Sequence, residues 1–349
     1  MPEINYSALD SHIESGVPSN VYLICGDDGY LRRSSLEKLK AAYMPAVMPE
    51  FNYNEFDGST CRVEEIAAAV EMLPVMTERK MVVVKDLDAA AIGAEQYGKL
   101  EQLLGALYDT CVLIFFNVSV KSSVKSGDKQ GAMRALIKKF GTVVNCKTPS
   151  PVEIADIIME SAKQMGAEIS RGDAAFMVER CGADITNLLS ELNKLNSLCR
   201  GKITRTAIKE NTSQSIDVKA YMLASNVIQG KRREAFEIMK DLFDERTEPV
   251  AVLAIMSGAF VDLYRAKLAS SCGKNAEDMA ELFGDEYKGK EKRLSFSFRD
   301  CRRYSPELLR RWCVKLYETD AALKSSKTDG RILMEQLLAE MFLTAEAFR

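Results

Sequence analysis

The sequence predicts an α/β domain built on a parallel sheet, followed by an all-α remainder. Three observations carry that prediction. Short, continuously apolar segments such as Val21–Cys25 (VYLIC) alternate with helical stretches through residues 1–147. Apolar strands separated by helices read as a parallel sheet covered on both faces. The character of the chain then changes at Thr148-Pro149-Ser150-Pro151, and from there the apolar residues keep helical spacing, with no further strand expected.

In order along the chain, strand 21–25 runs into Gly26-Asp27-Asp28-Gly29 and a helix with Leu31, Leu36 and Leu39 on one side. Residues 51–56 (FNYNEF) alternate as a strand should, and Asp57-Gly58 turns the chain into a helix over 64–72. Strand 81–84, helix 95–108, strand 112–116, helix 132–140 and strand 142–145 complete the first domain. The polar stretch VSVKSSVKSGDKQG (118–131) reads as a surface loop. Helices over 152–164, 171–180 and 185–198, and one more starting at 203–205, form a small helical domain (148–213). Asp184 is the expected N-cap of the third of these, and Leu188, Leu189, Leu192 and Leu195 share its apolar side. Residues 214–349 hold helices near 218–229, 231–243, 249–270, 275–282, 295–304, 306–325 and 330–348, with Pro249 and Pro306 suited to first-turn positions.

Composition limits the chemistry. The chain has 349 residues, 47% hydrophobic and 28% charged, enough to bury a substantial core. No apolar run approaches a membrane span, and the N-terminus lacks a basic region followed by an apolar one. Nine scattered cysteines form no CxxC pair, which points to reduced thiols in a cytoplasm. With one histidine, His12, zinc sites and histidine-based acid–base chemistry lose most of their routes, and His12 reads as a surface residue of the first helix. A net charge of −3 excludes nucleic-acid binding through bulk positive charge.

The outline of a parallel α/β domain followed by helices is that of an AAA+ ATPase, so the first strand-to-helix turn is the place for phosphate chemistry. A phosphate loop, GxxxxGK[ST], needs glycines for close backbone approach, lysine for the phosphates and a hydroxyl for magnesium. Gly26 starts in the right place, but Leu31, Arg32 and Arg33 stand where Gly, Lys and Ser/Thr belong, and Asp27 and Asp28 add negative charge. We expect no nucleotide in the degenerate loop Gly26, Asp27, Asp28, Gly29, and no cofactor elsewhere. Strand 81–84 runs into Lys85-Asp86 rather than an Asp-Glu pair, so Asp86 and Asp88 read as turn residues and not metal ligands. Asn117, at the end of strand 112–116, reads as a turn hydrogen-bonder.

The stretch VEEIAAAVEMLPVMTERKMVVVKDLD (63–88) is a second candidate. Pro74 has a fixed φ and no N–H, so the helix ends at Leu73-Pro74, and an apolar tip, Val75-Met76, follows before the next strand. Val75 and Met76 fit either the core of an ordinary connection, which geometry alone favours, or an apolar projection at a domain edge.

VYLICGDDGYLRRSSLEKL, DGSTCRVEEIAAAVEMLPVMTERKMVVVKD, CGADITNLLSELNKL and FRDCRRYSPELLRRWCVKLYETDAALKSSKTDGR, in this order, resemble the delta subunit of the bacterial DNA polymerase III clamp loader. The likeness covers nearly the whole chain. It implies an AAA+-like module without ATPase activity (1–147), a helical lid (148–213) and a collar (214–349) that joins a hetero-oligomeric ring. It also implies that the chain binds the beta sliding clamp and holds one clamp interface open for loading onto primed DNA. The family's contact, a pair of large apolar residues, corresponds to Val75 and Met76, with Leu73 and Pro74 beside them. The family's usual aromatic is missing from this pair, though methionine can fill an apolar cleft.

Basic residues concentrate between 288 and 315, with Phe296, Phe298, Tyr304 and Trp312 interleaved. Cations with rings suit primer–template DNA. Trp312 and Tyr304, at helical spacing with Val314 and Leu316, read as core. Lys288, Lys290, Lys292 and Arg293 read as a contact with DNA or a partner protein. Two other function classes stay open: an active AAA+ DNA-dependent ATPase, which lacks its residues, and a stand-alone DNA-binding module, against which the net acidity weighs.

Overall fold

The computed structural model describes residues 3–16, 18–87, 93–117, 129–199, 201–284, 287 and 291–348. They divide into two compact units, Met1–Pro149 and Ser150–Arg349.

The first unit contains β1 (Glu3–Asn5), α1 (Leu9–Glu14), β2 (Val21–Cys25), α2 (Gly29–Tyr43), α3 (Pro49–Asn52), β3 (Tyr53–Asp57), α4 (Val63–Glu71), β4 (Lys80–Lys85), α5 (Ala94–Gly105), β5 (Cys111–Phe116), α6 (Lys129–Phe140) and β6 (Thr142–Asn145). The six strands pair in parallel in the order β1-β6-β2-β5-β4-β3. Strands β2 and β5 are buried along their full length, which is why they read as unbroken apolar runs. Val21, Leu23, Val82, Val84, Leu113, Phe115 and Val143 form one face with Ile66, Val70, Leu100, Leu103, Leu136 and Ile137 of α4, α5 and α6. Helix α2 packs against β2 and β5 from the other side. The AAA+-like parallel sheet expected from the sequence is therefore present.

Four details differ from the expectations. Strand β1 was not foreseen, being three residues on the sheet edge. His12 is half-buried rather than at the surface, with Nε2 3.1 Å from the Tyr22 hydroxyl. Phe51 does not begin a strand: Pro49 occupies the first turn of α3, and the strand starts at Tyr53. The polar stretch 118–131 lies outside the described residues up to 128, as does Asp88, and α6 begins at Lys129.

The second unit holds α7 (Pro151–Gln164), α8 (Arg171–Cys181), α9 (Ile185–Cys199), α10 (Arg205–Asn211), α11 (Ile216–Gln229), α12 (Arg232–Asp244), α13 (Pro249–Ser271), α14 (Ala276–Phe283), α15 (Glu291–Asp300), α16 (Pro306–Ser325) and α17 (Gly330–Ala347). Strands do not disappear here. A two-residue parallel pair, β7 (Glu168–Ile169) and β8 (Lys202–Ile203), is too short to give a periodic signal. Helix caps follow the sequence: Ser150, Ser170, Thr204, Ser215 and Ser305 each accept a backbone N–H in the first turn of their helix. Contrary to the expectation that no apolar stretch approaches a membrane span, helix α13 has the length and composition to cross a bilayer. Here it is a core helix, with Val252, Leu253, Met256, Phe260 and Leu263 buried against neighbouring helices. Trp312 is buried in the same core and donates to the Met341 carbonyl (3.1 Å), and the Tyr304 hydroxyl donates to the Ile228 carbonyl (2.5 Å), as expected of core aromatics.

Candidate functional site

The turn after β2 sits between two sheet neighbours, β6 and β5, where a parallel sheet of this kind presents its ligand crevice. The chain fills that crevice with its own groups. Gly26 has φ 130°, and a Cβ there would collide with the Cys146 backbone. The Asp28 N–H donates to the Cys146 carbonyl (3.0 Å), and the Cys146 N–H to the Cys25 carbonyl (2.7 Å). Asp28 Oδ1 accepts from the Leu31 N–H at 2.8 Å, so a carboxylate already caps the helix end where a phosphate would bind. The guanidinium of Arg32, buried, donates to the Gly26 carbonyl. Burial pushes the Cys25 thiol up to about 11 and the Cys146 thiol up to about 12, so neither is a thiolate nucleophile at neutral pH. Asn117, buried at the end of β5, donates from Nδ2 to the Leu87 carbonyl (2.8 Å), the hydrogen bond expected of it.

The connection between α4 and β4 is the opposite case. Helix α4 buries Val63, Ile66, Ala69 and Val70 and stops at Met72, whose ψ is 132°. Lys80, the first residue of β4, is 1% exposed and turns its ammonium back onto the helix end, donating to the carbonyls of Ala69 and, at 2.7 Å, Met72. These are orphan acceptors at the negative end of the helix dipole, which suits a cation. Beyond this anchor Met72 (62% exposed), Leu73 (73%), Val75 (40%) and Met76 (80%) project, while Pro74 is half-buried. Val75 and Met76 are therefore not core residues.

The tip has a defined backbone. Asn52, fully buried at the end of α3, accepts from the Val75 N–H (2.7 Å) and donates to the Val75 carbonyl (2.9 Å). The same side-chain NH2 reaches the carbonyls of Val47 (3.0 Å) and Met48 (3.2 Å). Sequence reasoning missed Asn52. It also missed the exposed apolar residues before it, Met44, Val47, Met48 and Phe51. The available signal was two prolines, Pro45 and Pro49, framing apolar residues.

The basic segment is brought together only in part. Lys288 and Lys290 lie outside the described residues, as does the side chain of Lys292. Arg293 is not a free cation: its Nε is 2.5 Å from Oδ2 of the buried Asp262. Asp262 Oδ1 also accepts from the Tyr287 hydroxyl (2.7 Å), which in turn accepts from Arg265 (2.8 Å). The sequence showed the charge but not the buried carboxylate that holds it.

Fold and site together define an AAA+-like subunit whose phosphate turn is closed and whose exposed feature is an apolar tip. Comparisons with known proteins make this specific. The family described as DNA polymerase III, delta subunit matches residues 22–147, and the DNA polymerase III delta subunit, C-terminal domain matches residues 217–341. The DNA polymerase III subunit delta of Bacillus subtilis is 22% identical over 333 residues, 94% of each chain. That of Escherichia coli is 22% identical over 256 residues, 72% of this chain and 71% of the other. The solved Bacillus subtilis DNA clamp loader delta protein shares the fold, with TM-score 0.66 and 21% identity over 97% of this chain and 99% of that one. The chain belongs to the DNA polymerase III delta-subunit family.

Proposed function

We propose that this chain binds the beta sliding clamp through Leu73, Pro74, Val75 and Met76 and holds one clamp interface open while DNA is loaded. The observation that carries this is the display of Leu73 and Met76, the two most exposed side chains of the tip, on a backbone fixed by Asn52 and Lys80. Exposed apolar side chains on a rigid support gain free energy only when a partner covers them. Opening follows if the tip binds the open clamp more tightly than the closed one, since a ligand shifts an equilibrium only by its differential affinity. A preference of about 5.5 kcal/mol would take the clamp from one part open in a hundred to almost wholly open.

In this reading the chain contributes no catalysis of its own to the polymerase complex. The nucleotide step belongs to partner subunits, because Arg32 and the Asp28 cap occupy the phosphate turn. The second unit is read as a lid to residue 213 and a collar from 214, the latter joining the other loader subunits. Primer–template DNA is a partner of the assembled complex. Lys288, Lys290 and Lys292 remain the candidate contacts, whereas Arg293 is committed to Asp262.

The test is co-elution with the clamp from the same organism, comparing the native chain with Val75→Asp/Met76→Asp. Both positions are exposed, so the fold should survive, and clamp binding should drop at least a hundredfold, about 2.7 kcal/mol. Undiminished binding by the folded double variant rejects the reading.

A further inference from the structure

Strands β3 and β4 are neighbours in register, Tyr53 beside Met81. The connections that precede them, residues 44–52 and 72–79, therefore leave the same edge of the sheet side by side. Asn52 ties them together, since one buried side chain bonds the backbones of Val47 and Met48 in the first and of Val75 in the second. Of the four described non-glycine residues with left-handed backbone, one lies in each connection: Met48 (φ 47°) and Met76 (φ 55°). An unbranched apolar side chain held in that region indicates an imposed conformation, and such positions cluster at binding sites. Each connection carries exposed apolar side chains, and the first includes an aromatic ring, Phe51, 56% exposed.

We propose that the two connections form one composite docking face for the sliding clamp, in which Phe51 supplies the aromatic anchor absent from Val75-Met76 and Asn52 is the positioning residue that sets their spacing. The proposal rests on the clamp-binding reading above and extends it to a second segment. Continuity favours the clamp as occupant: a partner seated on Met76 and Val75 meets the segment clasped to Val75 before it meets solvent. Phe51 is also the kind of side chain that dominates interface energetics, a large ring beside adaptable thioethers. Glu50, Glu71 and Glu78, within or next to the two connections in sequence, are all exposed, against one partly buried cation, Arg79. The complementary surface is accordingly an apolar cleft with a basic margin.

The experiment measures association and dissociation of the full chain on immobilised clamp from the same organism. Phe51→Ala should weaken binding about tenfold through faster dissociation, and Phe51→Asp should weaken it further. Asn52→Ala keeps every apolar side chain and should instead slow association, because fewer molecules hold the competent spacing at any moment. Circular dichroism confirms that each variant is folded. Phe51→Asp binding as tightly as the native chain, while Val75→Asp/Met76→Asp does not bind, overturns the composite face and leaves the tip reading intact. If the double tip variant also binds normally, the tip reading itself has failed. Self-association of the native chain that Phe51→Asp abolishes, with clamp binding unchanged, would assign the face to a second copy and equally overturn the proposal.

Discussion

The first unit has two edges, and they have been used in opposite ways. Strands β2 and β4 are parallel, so the turn after β2 and the tip before β4 lie at opposite ends of the sheet. At the turn, polar groups face inward. Arg32 donates to the Gly26 carbonyl, the Asp28 carboxylate accepts from the Leu31 N–H, and the Asp28 N–H donates to the Cys146 carbonyl, where an AAA+ ATPase would hold phosphate. At the tip, polar groups also face inward, but Asn52 and Lys80 spend their hydrogen bonds on backbone alone, which leaves the apolar side chains outside. Both edges are held by hydrogen bonds to backbone groups. What differs is what the bonds leave uncovered: the charged Asp27 at the turn, and the apolar Leu73, Val75 and Met76 at the tip. A sheet of this architecture can thus carry a filled crevice at one end and an exposed apolar projection at the other.

The sharpest way to break the closed edge is at Gly26. Its φ of 130° is a region that L side chains rarely adopt, and any Cβ meets the Cys146 backbone. Gly26→Val combines backbone strain with overpacking, and we expect a loss of about 4 kcal/mol in the stability of the first unit. Urea denaturation followed by circular dichroism measures it; a change below 1 kcal/mol would mean that the turn has room to open.

Asn52 is the corresponding point on the open edge. Asn52→Ala removes the carbonyl that accepts from Val75 and the NH2 whose two hydrogens are shared among the Val47, Met48 and Val75 carbonyls, and leaves the Val75 N–H to water, for an expected cost of about 2 kcal/mol. Amide exchange should accelerate at Val75 while the amides of β2 and β5 keep their protection. Uniform acceleration across the sheet would show that Asn52 supports the whole unit and not the tip.

These two sites were not equally legible in the sequence. Strands such as VYLIC and CVLIFF announce themselves because both faces are buried, and the failed phosphate loop is read from Leu31, Arg32 and Arg33 alone. Pro74 marks the end of α4. By contrast, the exposure of Val75 and Met76 depends on Asn52, a residue whose partners come from a neighbouring strand connection and leave no periodic trace. Phe51 was hidden for a related reason: FNYNEF alternates like a strand, and only the turn set by Pro49 shifts its first two residues, Phe51 and Asn52, out of the sheet. Arg293 shows the same limit in the second unit, where a cation that looked available turns out to belong to a buried carboxylate.

A smaller effect tests whether the closed turn is merely plugged. Arg32→Met removes the guanidinium but keeps much of its volume, at an expected cost of about 1 kcal/mol. Titration with ATP and magnesium should still give no binding heat, because the Asp28 cap and the Gly26–Cys146 contact remain. Binding by this variant would show that one side chain separates the two kinds of edge.

The smallest expected effect is a pH dependence at the root of the tip. Burial pushes the Lys80 ammonium below its ordinary range, although its bonds to Ala69 and Met72 oppose that shift. In the window between its lowered folded value and its unfolded value near 10.4, the unfolded chain binds more protons than the folded one. Stability therefore gains from this group as pH rises through that window, and the gain is lost as pH falls through the folded value. Lys80→Met should flatten that part of the profile while fraying the end of α4, seen as faster exchange near Met72. If the alkaline slope is unchanged in the variant, Lys80 stays well solvated and the tip is anchored by Asn52 alone.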